Sequence, residues 1–253
     1  MSRSLLVPFL VLAASFTAHS QGPGGRGGTP PTPRAAAPFD MTGYWVSVVN
    51  EDWRWRMFPN KGDYAGIPLN PEGRKVADAW NPAKDEAAGE QCKGYGAPGI
   101  MRVPSRFHIT WQDDQTLKIE TDAGRQVRVF HFGSAPASST DLQGVSKAEW
   151  EFPRPGAGFA IAGDRGGGPA GSLKVTTTNA RPGYLRRNGV PYSANAKLME
   201  YYDLVREANG VTYLVVTSTV EDPTYLTQPW ITAAHFKKQA DATGWNPTPC
   251  SVR

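Results

Sequence analysis

The side chains with most scope for chemistry lie within residues 106–132, RFHITWQDDQTLKIETDAGRQVRVFHF. His108, Glu120 and Arg128 are a base, a carboxylate and a permanent cation. Held together, the first would move a proton, the second would orient it and the third would stabilise an oxyanion. Two tight turns divide the stretch into antiparallel strands. A loop of Asp113, Asp114 and Gln115 pairs Trp111 with Leu117 and Ile109 with Ile119, and sets His108 opposite Glu120 on the other face. A second loop, Asp122-Ala123-Gly124, is closed by Gly124 in the left-handed conformation. It places Val127 and Val129 on the apolar face with Leu117 and Ile119, because a strand with one buried face has its register fixed by its apolar set. Arg128 then shares the polar face with His108 and Glu120. Opposed residues of an antiparallel pair have Cβ atoms roughly 4.5–5.5 Å apart. A carboxylate that close favours the imidazolium and burial opposes it. The plainer alternative is a solvated polar face.

Other chemistry is thinly represented. No Gly-x-Ser-x-Gly elbow is present. Glu120 and Glu200 are candidates for the paired carboxylates of glycoside hydrolysis. His108, His131 and His235 are the histidines after residue 20, without HxxxH spacing, and the register above puts His108 and His131 on opposite faces. No metal and no cofactor are expected.

Side chains suited to holding a ligand are spread along the chain. Residues 51–57 alternate, with Trp53, Trp55 and Met57 on one face and Arg54 and Arg56 on the other, the pattern of a half-buried strand. Trp53 and Trp55 then serve either as core or as a stacking platform. Residues 181–192 gather three arginines and two tyrosines in a constrained loop, with Tyr184 and Arg186 as candidate ligand contacts. Residues 197–207 and 211–220 form a hairpin closed by Asn209-Gly210. A two-residue turn there pairs Glu200 with Thr219 and Tyr202 with Thr217, and Glu200 and Tyr202 complete the ligand set.

The elements around these residues follow from length and punctuation. Residues 1–20 read as a signal peptide, with Arg3, an apolar run over residues 5–16 and the small-residue exit Ala18-His19-Ser20. Residues 21–38 are a flexible Gly/Pro-rich linker with little to bury. Residues 39–253 make one domain. Asn70-Pro71 and Asn81-Pro82 each pair a cap residue with proline at the first helical position, so two short helices precede Cys92. Residues 153–171 are a Gly/Pro-dominated loop containing Asp164, Arg165 and a glycine run that lacks the lysine of a phosphate-binding loop. Cys92 and Cys250 are an even pair, which in an oxidising compartment predicts one disulfide. Scattered Lys and Arg leave no nucleic-acid footprint, and no stretch beyond the signal is long enough to span a membrane as a helix. The expected compartment is periplasmic or extracellular.

About ten short strands with tight hairpins predict an all-β domain, an antiparallel β-barrel with two short helices and long loops. The opening Gly43-Tyr44-Trp45 resembles the Gly-x-Trp start of calycin barrels, the lipocalin and avidin group. Thr42-Gly43-Tyr44-Trp45, residues 51–56 and residues 221–226 are also similar to an uncharacterised family of secreted bacterial proteins, a resemblance that implies secretion and no activity. The leading expectation is a barrel that binds a small, partly apolar molecule in an aromatic-lined pocket. The alternatives are a barrel isomerase, cyclase or lyase working through His108, Glu120 and Arg128, and an envelope protein whose loops contact a partner.

Overall fold

A computed structural model describes residues 30–50, 52–57, 59–153 and 171–252. The expected signal peptide, the first half of the expected linker, Glu51 and the glycine-rich stretch with Asp164 and Arg165 lie outside the described residues. The strands are β1 (Gly43–Val48), β2 (Arg106–Trp111), β3 (Thr116–Thr121), β4 (Val127–Phe132), β5 (Val145–Glu151), β6 (Ser172–Thr178), β7 (Gly183–Arg186), β8 (Val190–Tyr192), β9 (Lys197–Arg206), β10 (Thr212–Glu221) and β11 (Trp230–Lys238). The helices are α1 (Trp53–Arg56), α2 (Pro71–Ala79), α3 (Pro82–Ala87) and α4 (Ala97–Ile100), with a 3-10 turn over Gln91–Tyr95.

Nine strands close into a barrel in the order β1-β11-β10-β9-β6-β5-β4-β3-β2, and β2 returns to β1. β7 and β8 form a separate hairpin. The expected closed β architecture holds. One pair, β4 with β5, is parallel, which corrects the antiparallel-only expectation. Residues 133–144 carry the chain from the end of β4 back to the start of β5, and a parallel neighbour needs such a crossover where an antiparallel one needs only a turn.

β2 and β3 pair as the turn chemistry dictates, with His108 opposite Glu120 and Ile109 opposite Ile119. β3 and β4 do not. Thr121 donates its N–H to the Gln126 carbonyl at 2.9 Å, so the loop holds four residues, with Gly124 and Arg125 both left-handed at φ 79° and 51°. The extra residue is fixed from outside the hairpin. Arg125 Nε and Nη2 donate to the Pro247 carbonyl, and the Tyr95 ring lies so close under Gly124 that a Cβ there would meet it at 2.4 Å. A slip of one residue turns every side chain of a strand over. Arg128, Phe130 and Phe132 therefore face the lumen, and Val127 and Val129 face outward. The β9–β10 turn is also one residue longer than expected. Ala208, Asn209 and Gly210 span it, so Glu200 faces Ser218 and Tyr202 faces Val216.

The predicted strand over residues 51–57 is instead the single helical turn α1. Asp52 enters it in the left-handed conformation, and its carbonyl accepts from the N–H groups of Trp55 and Arg56. Arg56 is buried at 3% exposure while Trp53 stands 65% exposed, the reverse of the amphipathic reading. Backbone carbonyls explain the inversion: Arg56 donates to the carbonyl oxygens of Val48 at 2.5 Å and Arg102 at 3.2 Å, and such groups need partners when they are buried. Both Asn-Pro signals do start helices. Asn70 Oδ1 accepts from the Gly73 N–H, and Asn81 Oδ1 from Ala83 and Lys84.

The lumen is filled, and its ends differ. Trp45, Phe107, Ile109, Phe130, Leu173 and Phe236 pack along it in one apolar cluster. The lower end is plugged by α4, where Ile100, Met101 and Val103 reach the barrel core. A second apolar cluster lies at that end, built from Tyr64, Ala77, Leu185, Val190, Tyr192 and Trp230 among others. Cys92 and Cys250 form a disulfide. It ties the C-terminal tail to the 3-10 turn, and a parallel bridge between Ala123 and Thr248 binds the same tail to the β3–β4 loop. Among the described residues, no helix is long and apolar enough to cross a membrane.

Residues 31–38, the second half of the expected linker, have contacts with the barrel. The Pro33 carbonyl accepts from Trp150 Nε1 at 2.7 Å, and the Arg34 N–H donates to the Asp114 carbonyl at 3.2 Å.

The Cys92–Cys250 link closes a loop of 158 residues. Loop-closure entropy makes removal of such a link worth about 3–5 kcal/mol. Cys92→Ser with Cys250→Ser should lower the urea midpoint accordingly, and an unchanged midpoint would contradict the bracing role of the tail.

Candidate functional site

Outside the barrel, neighbouring strands bring His108 and Glu120 together, with Nδ1 3.5 Å from the carboxylate. Tyr44 stacks on the imidazole with centroids 4.1 Å apart, Trp245 meets it edge-on, and Lys118 Nζ lies 3.0 Å from the same carboxylate. The group is half-buried on the outer wall. Arg128 is not part of it, because the longer β3–β4 loop directs its side chain through to the lumen. The proposed trio is therefore divided by the sheet. Glu120 and Glu200 are divided in the same way, which removes them as a carboxylate pair. His131 lies on the outward face of β4, the same side as His108, which corrects the expectation that they oppose one another. Among the described residues, no group of His, Cys, Asp or Glu is arranged to hold a metal.

Inside the lumen, Arg128 and Glu200 form a two-pronged ion pair, Nη1 to Oε1 at 2.9 Å and Nη2 to Oε2 at 2.6 Å. Both side chains have 0% exposure. Tyr202 Oη and Thr177 Oγ1 also accept from Arg128, and the Ser146 and Thr177 hydroxyls are 2.8 Å apart. Burial acts against the Arg128 charge, but the Glu200 carboxylate outweighs it and holds the guanidinium protonated, its pKa raised. Tyr202 is pushed well above the ordinary phenol range by burial, with Glu200 adding to the effect. A side chain without accessible area has no water-sized void against it. Glu200 and Tyr202, expected as ligand contacts, are thus members of a packed core network.

The other expected ligand contacts are at the plugged end. Trp53 is exposed, while Trp55 donates Nε1 to Asp63 and lies under the Arg186 guanidinium at 5.6 Å. Arg186 donates to the carbonyls of Asp63 and Ala65. Burial, then the nearby Arg102, lower its pKa to about 10. Tyr184 belongs to a different cluster. Asp85 accepts from the Tyr184 hydroxyl at 2.7 Å, from Trp80 Nε1 at 3.0 Å and from Lys93 Nζ at 3.4 Å. These residues line a shallow cleft, part of it open to solvent, with Glu90, Arg187 and Ser251 on its walls. The Asp85 carboxylate is already shared among three donors, so the cleft is cross-braced rather than waiting for a ligand.

The end opposite the plug carries a feature that sequence reasoning missed. Trp111, Phe132, Trp150 and Phe39 form an unbroken chain of ring contacts along the rim, with centroids 5.4 Å, 5.5 Å and 5.6 Å apart in turn. Trp111, Trp150 and Phe39 are only partly buried against the core. The signal lay in strand ends. Trp111 closes β2, Phe132 closes β4, and Trp150 is the penultimate residue of β5, three strands that finish at one level only if β5 runs parallel to β4.

No protein-family model matches the chain, and no curated protein matches it.

Glu200→Gln should cost about 3–5 kcal/mol in urea denaturation, because it leaves a buried guanidinium without its counter-charge. Joint replacement of Arg128 by Met and Glu200 by Leu should restore most of that loss. A single-variant cost below about 1 kcal/mol would show that water reaches the pair.

Burial raises the phenols of Tyr64, Tyr184, Tyr192 and Tyr202, with Asp78 carrying Tyr64 to about 12 and Asp85 adding to Tyr184. The native state keeps these protons while an unfolded chain releases them near pH 10. Stability should therefore be full below about pH 10 and fall as pH rises beyond it. Near-UV absorbance should show these four ionising together with alkaline unfolding; their ionisation in a still-folded protein would refute the burial.

Proposed function

We propose that this chain is a secreted, calycin-like binding barrel that holds a small, partly apolar molecule at the rim opposite the helical plug. The observation that carries the reading is the chain of rings at that rim, the half-buried Trp111, Trp150 and Phe39 joined through the buried Phe132. Aromatic side chains that face a mouth and remain partly exposed supply apolar contact area without rearrangement of the packed lumen. The opening tripeptide supports the calycin likeness through Trp45, which points into the closed lumen and is fully buried. The parallel β4–β5 pair departs from a simple up-and-down order. The disulfide agrees with an oxidising compartment. The proton-transfer reading has lost its oxyanion partner, since Arg128 is committed to Glu200 inside the barrel.

The indole N–H groups supply a direct test. The chain without its signal is titrated with 2-acetylnaphthalene, a flat apolar ketone, while the tryptophan indole resonances are followed by NMR. Trp111 and Trp150 should shift, and Trp55, Trp80 and Trp230 should not. Trp111→Ala should weaken binding roughly tenfold, the effect of about 1.4 kcal/mol of lost ring contact. Shifts confined to Trp55 and Trp80 would move the site to the plugged end, and an absence of shifts would reject the reading.

A further inference from the structure

We propose that residues 31–38 are a displaceable strap lying over this rim, and that Trp150 Nε1 is the polar anchor for a flat apolar ligand bearing one hydrogen-bond acceptor. The inference rests on the rim reading above and goes further, since it names the ligand's polar requirement and the segment that competes for it.

The Pro33 carbonyl occupies the indole donor of Trp150 at 2.7 Å. A ligand carbonyl in the same place would reproduce that bond. It would bring a flat apolar body to the rings in place of a turn made of Pro, Thr, Arg and Ala.

Among the described residues, the strap is weakly held. Beyond the Trp150 bond, its polar ties there are the Arg34 N–H to the Asp114 carbonyl at 3.2 Å and an Arg34–Asp114 ion pair at 3.9 Å whose side chains are both more than half exposed. Exposed pairs of that kind contribute little. Its internal bonds, from the N–H groups of Ala36 to the Thr32 carbonyl at 2.8 Å, Ala37 to the Arg34 carbonyl at 3.4 Å and Ala35 to Thr32 Oγ1 at 3.3 Å, close a turn and add nothing to docking. Pro38 touches Gly171, where an added Cβ would lie 3.0 Å from the proline Cγ. The strap belongs to no strand of the barrel.

The chain just after it is anchored. Met41 is fully buried, its carbonyl accepts from Trp45 Nε1 at 2.9 Å, and Asp40 Oδ1 takes the Thr42 N–H. Residues 31–38 can therefore leave the rim while Phe39 and Met41 stay in place, and only a short hinge has to change.

A competitor tethered this close acts at an effective concentration on the order of millimolar. It lowers apparent affinity by the fraction of time the rim is covered. Affinity for 2-acetylnaphthalene, read by tryptophan fluorescence, is compared between the chain from residue 21 and the same chain lacking residues 31–38. A third protein keeps the length but carries Gly and Ser in place of residues 31–36. A cooperative thermal melt and an intact disulfide establish that each is folded. Both altered proteins should bind about tenfold more tightly. In either of them Trp150→Phe should cost roughly fivefold, the loss of one hydrogen bond. A synthetic peptide of residues 29–39 should compete only near millimolar concentration. Equal affinity in all three proteins overturns the strap and leaves the rim site standing. Binding by none of them overturns both. Tighter binding that is indifferent to Trp150→Phe overturns the anchor.

Discussion

Arg128 and Glu200 meet in the lumen without access to water, and much of the barrel is arranged around that fact. Two charges taken out of water are tolerable only when their geometry is good and their remaining donors and acceptors are met. The forked pairing, the Tyr202 and Thr177 oxygens and the Ser146 hydroxyl supply most of this on the lumen side of β4, β5, β6 and β9, while Arg128 Nε has no acceptor among the described residues. The pair also opposes a slip of β4, beyond what apolar packing contributes. Slipping β4 by one residue would turn Arg128 out and leave Glu200 buried and alone. The register of β4 and the fate of Glu200 are thus one constraint, and a hydrophobic lumen of equal volume would not impose it.

From that centre the two ends diverge in character. Towards the plug, the chain leaves the barrel pattern and closes the bottom with short helices, a hairpin and a cross-linked tail. Cations are prominent there: Arg102 and Arg186 are at least nine-tenths buried. They act as donors to carbonyls and to Asp52, and they stack on Trp230 and Trp55. Planar guanidinium groups suit such a place because they can hydrogen-bond in the plane and pack through their faces. Irregular backbone exposes carbonyls that a strand ladder would have paired, and arginines answer them. Towards the rim, among the described residues, there is no such closure. Strand ends present aromatic rings, and residues 31–38 lie against them with few polar ties.

The division of polar groups between lumen and outer wall separates chemistry from cavity. His108 and Glu120 are adjacent, as the β2–β3 turn requires, yet they lie on the wall's outer face beside Tyr44 and Trp245. A barrel wall is one layer thick, and alternate residues of a strand go to opposite sides. Neighbours in sequence on β3 and β4 can therefore be strangers in chemistry. That separation is why a binding reading is better supported than proton transfer.

By itself the sequence determined the closed β architecture, the Asn-Pro helix starts, the cysteine pairing and the β2–β3 register. Each depends on local chemistry: a cap and a proline, a turn with its apolar partners, or an even pair of thiols. It did not determine what depends on remote contacts. Arg125 takes an unusual left-handed conformation because Pro247, far along the chain, accepts from it, and that single residue reverses β4. Residues 53–56 alternate like a strand, but the carbonyls of Val48 and Arg102 draw Arg56 inward and wind the segment into a helical turn. The rim rings converge only because β5 runs parallel to β4 after a crossover. Turn length, strand direction and the inside of a barrel are decided by partners distant in sequence, and only the tertiary structure brings those partners together.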